Sequence, residues 1–288
     1  MSEVIWRWGA LNLPFSSLTF FAAIIICLMM TYAEGRRKLL PESKLIDFLL
    51  LSLVGGMMGG RLVYAVFFDP DFYFEQPLRL LYIQDCGFSF WGGLVCAFIA
   101  ISFWAYRSKL IVERYFDAAA PALAFCLSFG YMGAPLRGGF MSRPLPWAIV
   151  DEGAYYHPDG AYAIILLMTV YLILRHRRYR AAYEGEIFFW FLLGCSMTNI
   201  ILDFIRDLPA VWGIFTAGQL FSFVMVVFTT YFVLAGPQIS ISFSYLSGTG
   251  YRRKSAETVA VYIWLFILTG VMVLLYFFMH QPSKFLQA

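Results

Sequence analysis

Eight stretches of about 20 predominantly apolar residues recur along this chain, near 17–34, 46–68, 88–106, 115–133, 160–175, 186–206, 212–236 and 257–279. That length is what an α-helix needs to cross the hydrocarbon core of a bilayer. Inside lipid every backbone N–H and C=O must be satisfied within the protein, which leaves helices or closed barrels, and apolar runs this long specify helices. The expected fold class is an all-α polytopic membrane protein with about eight transmembrane helices. Only 14% of the residues are charged, against about 25% in a soluble domain. A net charge of +3, with no basic run interleaved with stacking aromatics outside the apolar stretches, excludes a nucleic-acid partner.

Charge therefore speaks to topology. Fourteen of the 21 Lys and Arg residues fall on alternate connections: Arg36, Arg37, Lys38 and Lys44; Arg107, Lys109 and Arg114; Arg175, Arg177, Arg178 and Arg180; Arg252, Arg253 and Lys254. The positive-inside rule makes these loops cytoplasmic and both termini outward. Met1–Trp8 has no basic leader and the first apolar run ends on Glu34–Lys38, so no removable signal peptide is expected. Residues 1–236 read as one membrane domain with outward segments 69–87 and 134–159, followed by a cytoplasmic loop at 237–256 and an additional transmembrane helix at 257–279.

The five cysteines are odd in number, lie mostly in apolar segments and show no C-x-x-C spacing, so neither a disulfide framework nor a zinc site is expected. No nucleotide-binding glycine loop is present, and no cofactor is expected. Gly55-Gly56-Met57-Met58-Gly59-Gly60 and Gly92-Gly93 concentrate small residues where membrane helices approach closely.

Charge at membrane depth is costly and usually faces a protein interior or a water-filled cavity. Arg61, Asp117, Asp203 and Arg206 are such residues. Asp203 and Arg206, spaced i, i+3, can pair with one another on one helix face, a purely structural role. Arg61, Arg137, Arg143 and Arg206 near the outer interface form a set suited to an anionic phospholipid headgroup, because guanidinium matches phosphate with bidentate hydrogen bonds; binding of annular lipid would use the same residues. The segment Arg137–Trp147 is too polar and turn-rich for a helix, and loops of that length carry function. His157 is the histidine nearest these arginines and a candidate base. It serves equally, with Asp159, to cap the fifth span. Trp91, Trp147, Tyr155, Tyr156 and Tyr162 suit an interfacial belt.

In collinear order over about residues 14–236, the chain resembles the bacterial prolipoprotein diacylglyceryl transferases. The resemblance rests on Gly59-Gly60-Arg61-Leu62 with Tyr64, Asp71-Phe72-Tyr73-Phe74 with Pro77, and Phe88-Ser89-Phe90-Trp91-Gly92-Gly93. It continues through Asp117-Ala118-Ala119-Ala120-Pro121, Ser142-Arg143-Pro144-Leu145-Pro146-Trp147-Ala148, His157-Pro158 with Tyr162, Leu193-Gly194, Asp203 and Arg206, and Thr216-Ala217-Gly218-Gln219-Leu220. It implies a bacterial inner-membrane protein with an outward cavity open to lipid, where phosphatidylglycerol donates its diacylglyceryl group to the thiol of a lipobox cysteine in a preprotein. Its usual seven spans would here gain an eighth at 257–279.

The departures fall on the reacting positions. Where the family carries the histidine proposed as base, this chain has Trp91, which has no proton-accepting nitrogen. An Arg-x-Gly-Asn opening is here Tyr131-Met132-Gly133-Ala134. A later acid aligns with Gly139, a further arginine with Asn199, and the first-helix tyrosine approximately with Ser16. The leading reading is a divergent transferase-like protein that binds phosphatidylglycerol through Arg61, Arg137, Arg143 and Arg206, with His157 as base and Asp203, Tyr162 and Gln219 in support. The alternative is a catalytically inactive subunit that holds lipid or lipoprotein within a larger membrane complex and docks other subunits through 257–279. A transporter is disfavoured, because no internal repeat pairs broken spans in corresponding halves.

Overall fold

The computed structural model describes residues 4–8, 11–67, 70–76, 80, 89–134, 138–143, 145–151, 153–208, 213–239 and 255–280. A short antiparallel hairpin, β1 (Val4–Trp8) and β2 (Leu11–Pro14), leads into helices α1 (Phe15–Arg37), α2 (Glu42–Phe67), α3 (Pro70–Glu75), α4 (Phe90–Ser108) and α5 (Val112–Gly130). After a 3-10 turn at Tyr131–Gly133 come the hairpin β3 (Ile149–Asp151) and β4 (Ala154–Tyr156), then α6 (Asp159–Arg177), α7 (Glu186–Ile205), α8 (Ala217–Ile239) and α9 (Ser255–His280).

Among the described residues seven helices are long and apolar enough to cross a membrane: α1, α2, α4, α6, α7, α8 and α9. The expected eighth differs. The run placed at 115–133 forms α5, but this helix carries Glu113, Arg114 and Asp117 and fills much of its length with small, buried alanines. A helix enclosed by protein has no lipid to satisfy, so its apolar signature weakens.

The chain divides into two compact units, residues 31–118 and residues 1–30 with 119–288. In the first, α2 and α4 press together along glycines. A Cβ on Gly59 would fall 2.1 Å from the Cys96 Cβ, and one on Gly93 would fall 2.8 Å from the Gly56 carbonyl oxygen. Any larger side chain would separate the backbones. Ser89 caps α4 by accepting from the Gly92 N–H, while its own N–H donates to the Gly60 carbonyl. The Asp117 carboxylate, 1% exposed, is met by Lys38 Nζ at 3.2 Å, which pairs its charge.

In the second unit, α6 and α7 are the most enclosed spans, about half buried. Gly194 of α7 lies against Val170 of α6, and Ser128 of α5 donates to the Ile164 carbonyl of α6 at 3.1 Å. α9 also packs on α6, and runs antiparallel to it: Tyr262 faces His176 near the end of α6, whereas Tyr276 sits on Gly160 near its start. Tyr276 is fully buried. One face of the C-terminal helix is thus committed within the chain.

Candidate functional site

Among the described residues of the connection between α5 and α6, residues 138–141 and the β3–β4 hairpin are held by backbone hydrogen bonds. Gly139 N–H donates to the Ile205 carbonyl at 2.7 Å, His157 N–H donates to the Gly139 carbonyl at 3.1 Å, and Met141 N–H donates to the Tyr155 carbonyl at 2.7 Å. Gly138 pairs with Arg206 and Phe140 with Tyr156 across isolated bridges. The segment is clamped between the end of α7 and the residues leading into α6, and only glycines fit there. A Cβ on Gly138 would stand 1.7 Å from the His157 carbonyl oxygen, and one on Gly139 would stand 2.8 Å from that of Ile205. The acid that the family resemblance places at Gly139 has no room on this backbone.

Arg206, at the C-cap of α7, is the centre of the polar cluster. Its Nε donates to Asp159 Oδ2 at 3.0 Å, Nη1 lies 3.5 Å from Asp203 Oδ1, and Nη2 lies 3.5 Å from the Tyr131 hydroxyl. All three charged side chains are at most 10% exposed. With two carboxylates beside it, the guanidinium is paired in its charged form. The i, i+3 pairing with Asp203 is present, joined by an Asp159 that sequence reasoning assigned only to helix capping. A phosphate approaching Arg206 would compete with two carboxylates.

Asp203 links this cluster to α8. Its Oδ2 accepts from Thr216 Oγ1 at 2.9 Å, and Thr216 and Gln219 cap α8 reciprocally: Gln219 N–H donates to Thr216 Oγ1 at 3.1 Å, and Thr216 N–H donates to Gln219 Oε1 at 3.0 Å. This is the capping-box arrangement of Ser or Thr followed three residues later by Glu or Gln. Gly218 is required inside it, since a Cβ there would lie 2.7 Å from Asp203 Oδ2 and 3.2 Å from Asn199 Nδ2. Asn199 in turn donates to Ser222 Oγ at 3.0 Å.

His157 lies beside this cluster in sequence and structure. Its Nδ1 is buried without a hydrogen-bond partner among the described residues, and its ring centroid is 6.2 Å from that of Tyr162. The Tyr162 hydroxyl accepts from Trp147 Nε1 at 2.8 Å. The first residue before α6 is Pro158, and no side chain caps that helix by hydrogen bond; the Asp159 carboxylate turns to Arg206 instead. Arg143 is exposed on the connecting segment. Arg61 belongs to the other unit, where it is 5% exposed, donates from Nε to the Leu80 carbonyl at 3.4 Å and lies 5.4 Å from the Tyr73 ring centroid. Arg137 lies outside the described residues, as do Arg252, Arg253 and Lys254.

The family model for prolipoprotein diacylglyceryl transferases matches residues 3–235. The chain belongs to this family. It is 27% identical over 232 residues to the phosphatidylglycerol–prolipoprotein diacylglyceryl transferase of Bordetella parapertussis, covering 76% of this chain and 87% of that one. The enzyme of the same name from Geobacter sulfurreducens is 29% identical over 239 residues, 78% of this chain and 91% of the relative. A third, from Polynucleobacter necessarius, is 30% identical over 180 residues, 60% of this chain and 68% of the relative. Family membership and seven apolar helices make this a multi-pass membrane protein. α9 lies beyond the residues that the family model matches.

Sequence reasoning missed the roles of Asp159 and Tyr131. No spacing rule connects either to Arg206, 47 and 75 residues away. The Thr216–Gln219 cap was missed as well, although Thr-x-x-Gln before an apolar run is a helix-start signature that could have found it.

Proposed function

We propose that this protein is a diacylglyceryl transferase of the bacterial inner membrane, taking phosphatidylglycerol as donor and the lipobox cysteine of a preprotein as acceptor. The match to the family over residues 3–235, with relatives that bear this name, carries the reading. In the reaction the cysteine sulfur attacks the glycerol carbon that bears the phosphate ester. A C–S bond forms, the C–O bond breaks, and glycerol phosphate leaves with the electron pair. The thiol proton must be removed, because the thiolate is the nucleophile. His157 is the base in this reading: among the described residues its buried Nδ1 has no hydrogen-bond partner to hold it in another task. Arg143 is exposed and suited to phosphate, the resemblance carries Arg61 over to the same role, and Arg137 replaces a missing family cation from a different backbone position. Arg206, engaged by Asp159 and Asp203, holds the connecting segment and the start of α8 in register.

A second reading has one observation in its favour: the positions aligned with the family's base and two of its arginines are Trp91, Tyr131 and Asn199, and Asn199 is spent on Ser222. On that reading the protein holds phosphatidylglycerol without turning it over.

Transfer of an acyl-labelled diacylglyceryl group from phosphatidylglycerol to a lipobox peptide by purified protein separates the two. The transferase reading expects label on the peptide, lost in His157→Ala and Arg61→Ala. No transfer by wild-type protein that still retains phosphatidylglycerol would overturn it in favour of the lipid-holding reading.

A further inference from the structure

A groove of about 380 Å³ runs between α6 and α9 at the opposite end of α6 from the cluster above, lined by Thr169, Leu172, Ile173, His176, Arg177 and Tyr262. Thr169, Leu172, Ile173 and His176 stand at i, i+3, i+4 and i+7, so they form one stripe along α6. The stripe is graded. Thr169 turns its hydroxyl back to the Ile165 carbonyl at 2.8 Å, which leaves its methyl outward; Leu172 and Ile173 follow, and only then His176 and Arg177. An apolar wall that ends in cations has the order of a phospholipid read from chain to headgroup.

The polar end is built rather than incidental. His176 Nδ1 lies 3.3 Å from the Tyr262 hydroxyl across the groove, which fixes the imidazole and leaves Nε2 as its other ligand atom. The Arg177 Cζ sits over the Trp190 ring, 4.0 Å from its centroid, and Glu186 engages its Nη1 at 3.1 Å. The guanidinium is thereby held in place while 43% of the side chain stays exposed. Arg175, Arg178 and Arg180 add cations at this end of α6, against Glu184 and Glu186. Guanidinium so held suits a phosphodiester.

From this geometry we infer that the α6–α9 groove is a second lipid site, taking the phosphodiester of an anionic phospholipid at His176, Arg177 and Tyr262 and one of its acyl chains along Thr169–Ile173. The apolar floor selects a lipid over a soluble phosphate. By the positive-inside rule this end of α6 faces the cytoplasm, so the lipid belongs to the inner leaflet and is distinct from the outer-leaflet donor. Because α9 supplies one wall, the site exists only where the C-terminal helix is present.

The test places a photoreactive benzoylphenylalanine at Ile173, which is 43% exposed, in full-length protein reconstituted into phosphatidylcholine nanodiscs containing a minor share of phosphatidylglycerol. Crosslinked lipid is identified by mass spectrometry. The expected result is phosphatidylglycerol captured well beyond its share of the bilayer, with that enrichment falling about tenfold in His176→Ala/Tyr262→Phe, the loss of a hydrogen bond to a charged group. Outer-site transfer by the same double variant should be unchanged, which separates this site from the donor site. Crosslinks that follow bulk lipid composition would reduce the groove to annular lipid and overturn the inference. So would enrichment abolished by inorganic phosphate, which would make it a soluble-anion site.

Discussion

Arg206 and Asp159 meet as a buried pair, Nε to Oδ2 at 3.0 Å, with side chains 10% and 2% exposed. Removing one member of such a pair leaves an uncompensated charge, and costs on the order of 3 kcal/mol or more. Asp159→Asn leaves Arg206 paired with Asp203, so it should lower the thermal unfolding midpoint of the detergent-solubilised protein only modestly. Arg206→Ala should do more, since it strands both Asp159 and Asp203. The double variant Asp159→Asn/Arg206→Ala should be less destabilised than the sum of the two, a coupling that a double-mutant cycle reads directly. Additive effects would show that the pair contributes nothing as a pair.

The cap on α8 gives a smaller and more selective prediction. Thr216 accepts from Gln219 N–H and donates to Asp203, so Thr216→Ala removes a cap and a buried hydrogen bond together. A lost cap alone costs about 1 kcal/mol. Thr216→Ala should destabilise by roughly twice that, and Thr216→Ser, which keeps the hydroxyl, should recover most of it in the same thermal assay. Equal loss in both variants would assign the effect to the methyl group's packing instead.

The contrast between these residues shows what a sequence can and cannot reveal. The Gly55–Gly60 and Gly92–Gly93 clusters announced a close helix contact, and α2 and α4 make it, because glycine spacing encodes backbone approach locally. The Asp203–Arg206 pairing was legible for the same reason. Asp159 was not, since its partner lies two helices further on, at the far end of α7, and an N-terminal acid in a helix has an adequate local explanation. α5 was read as apolar by length, yet its alanines and its acids reflect burial in protein, which hydropathy does not distinguish from lipid.

The glycine clamp ties the connecting segment to the proposed base. A Cβ on Gly138 cannot be accommodated against the His157 carbonyl, so Gly138→Ala must shift the backbone that carries the imidazole. Transfer to a lipobox peptide should fall at least about tenfold, the loss expected when a proton-transfer group is displaced. Gly130→Ala is the matched control: nothing lies within 4 Å of its Cβ, so activity should persist and stability should hold or rise by up to about 1 kcal/mol. Undiminished transfer in Gly138→Ala would separate His157 from the chemistry.

The last prediction concerns α5. If the connection bearing Arg107, Lys109 and Arg114 and the one bearing Arg175–Arg180 both face the cytoplasm, α6 can start on the outer side only if α5 crosses between them, although its composition falls short of a typical span. Arg107, Asp151 and Arg180 are exposed, so single cysteines there, in a background with the native cysteines replaced, report their side of the membrane to an impermeant maleimide in intact cells. Asp151→Cys should label, whereas Arg107→Cys and Arg180→Cys should label only after the cells are opened. Labelling of Arg107→Cys and Asp151→Cys from the same side would mean that α5 returns without crossing, and the alternation of basic loops would then fail as a guide to this chain's orientation.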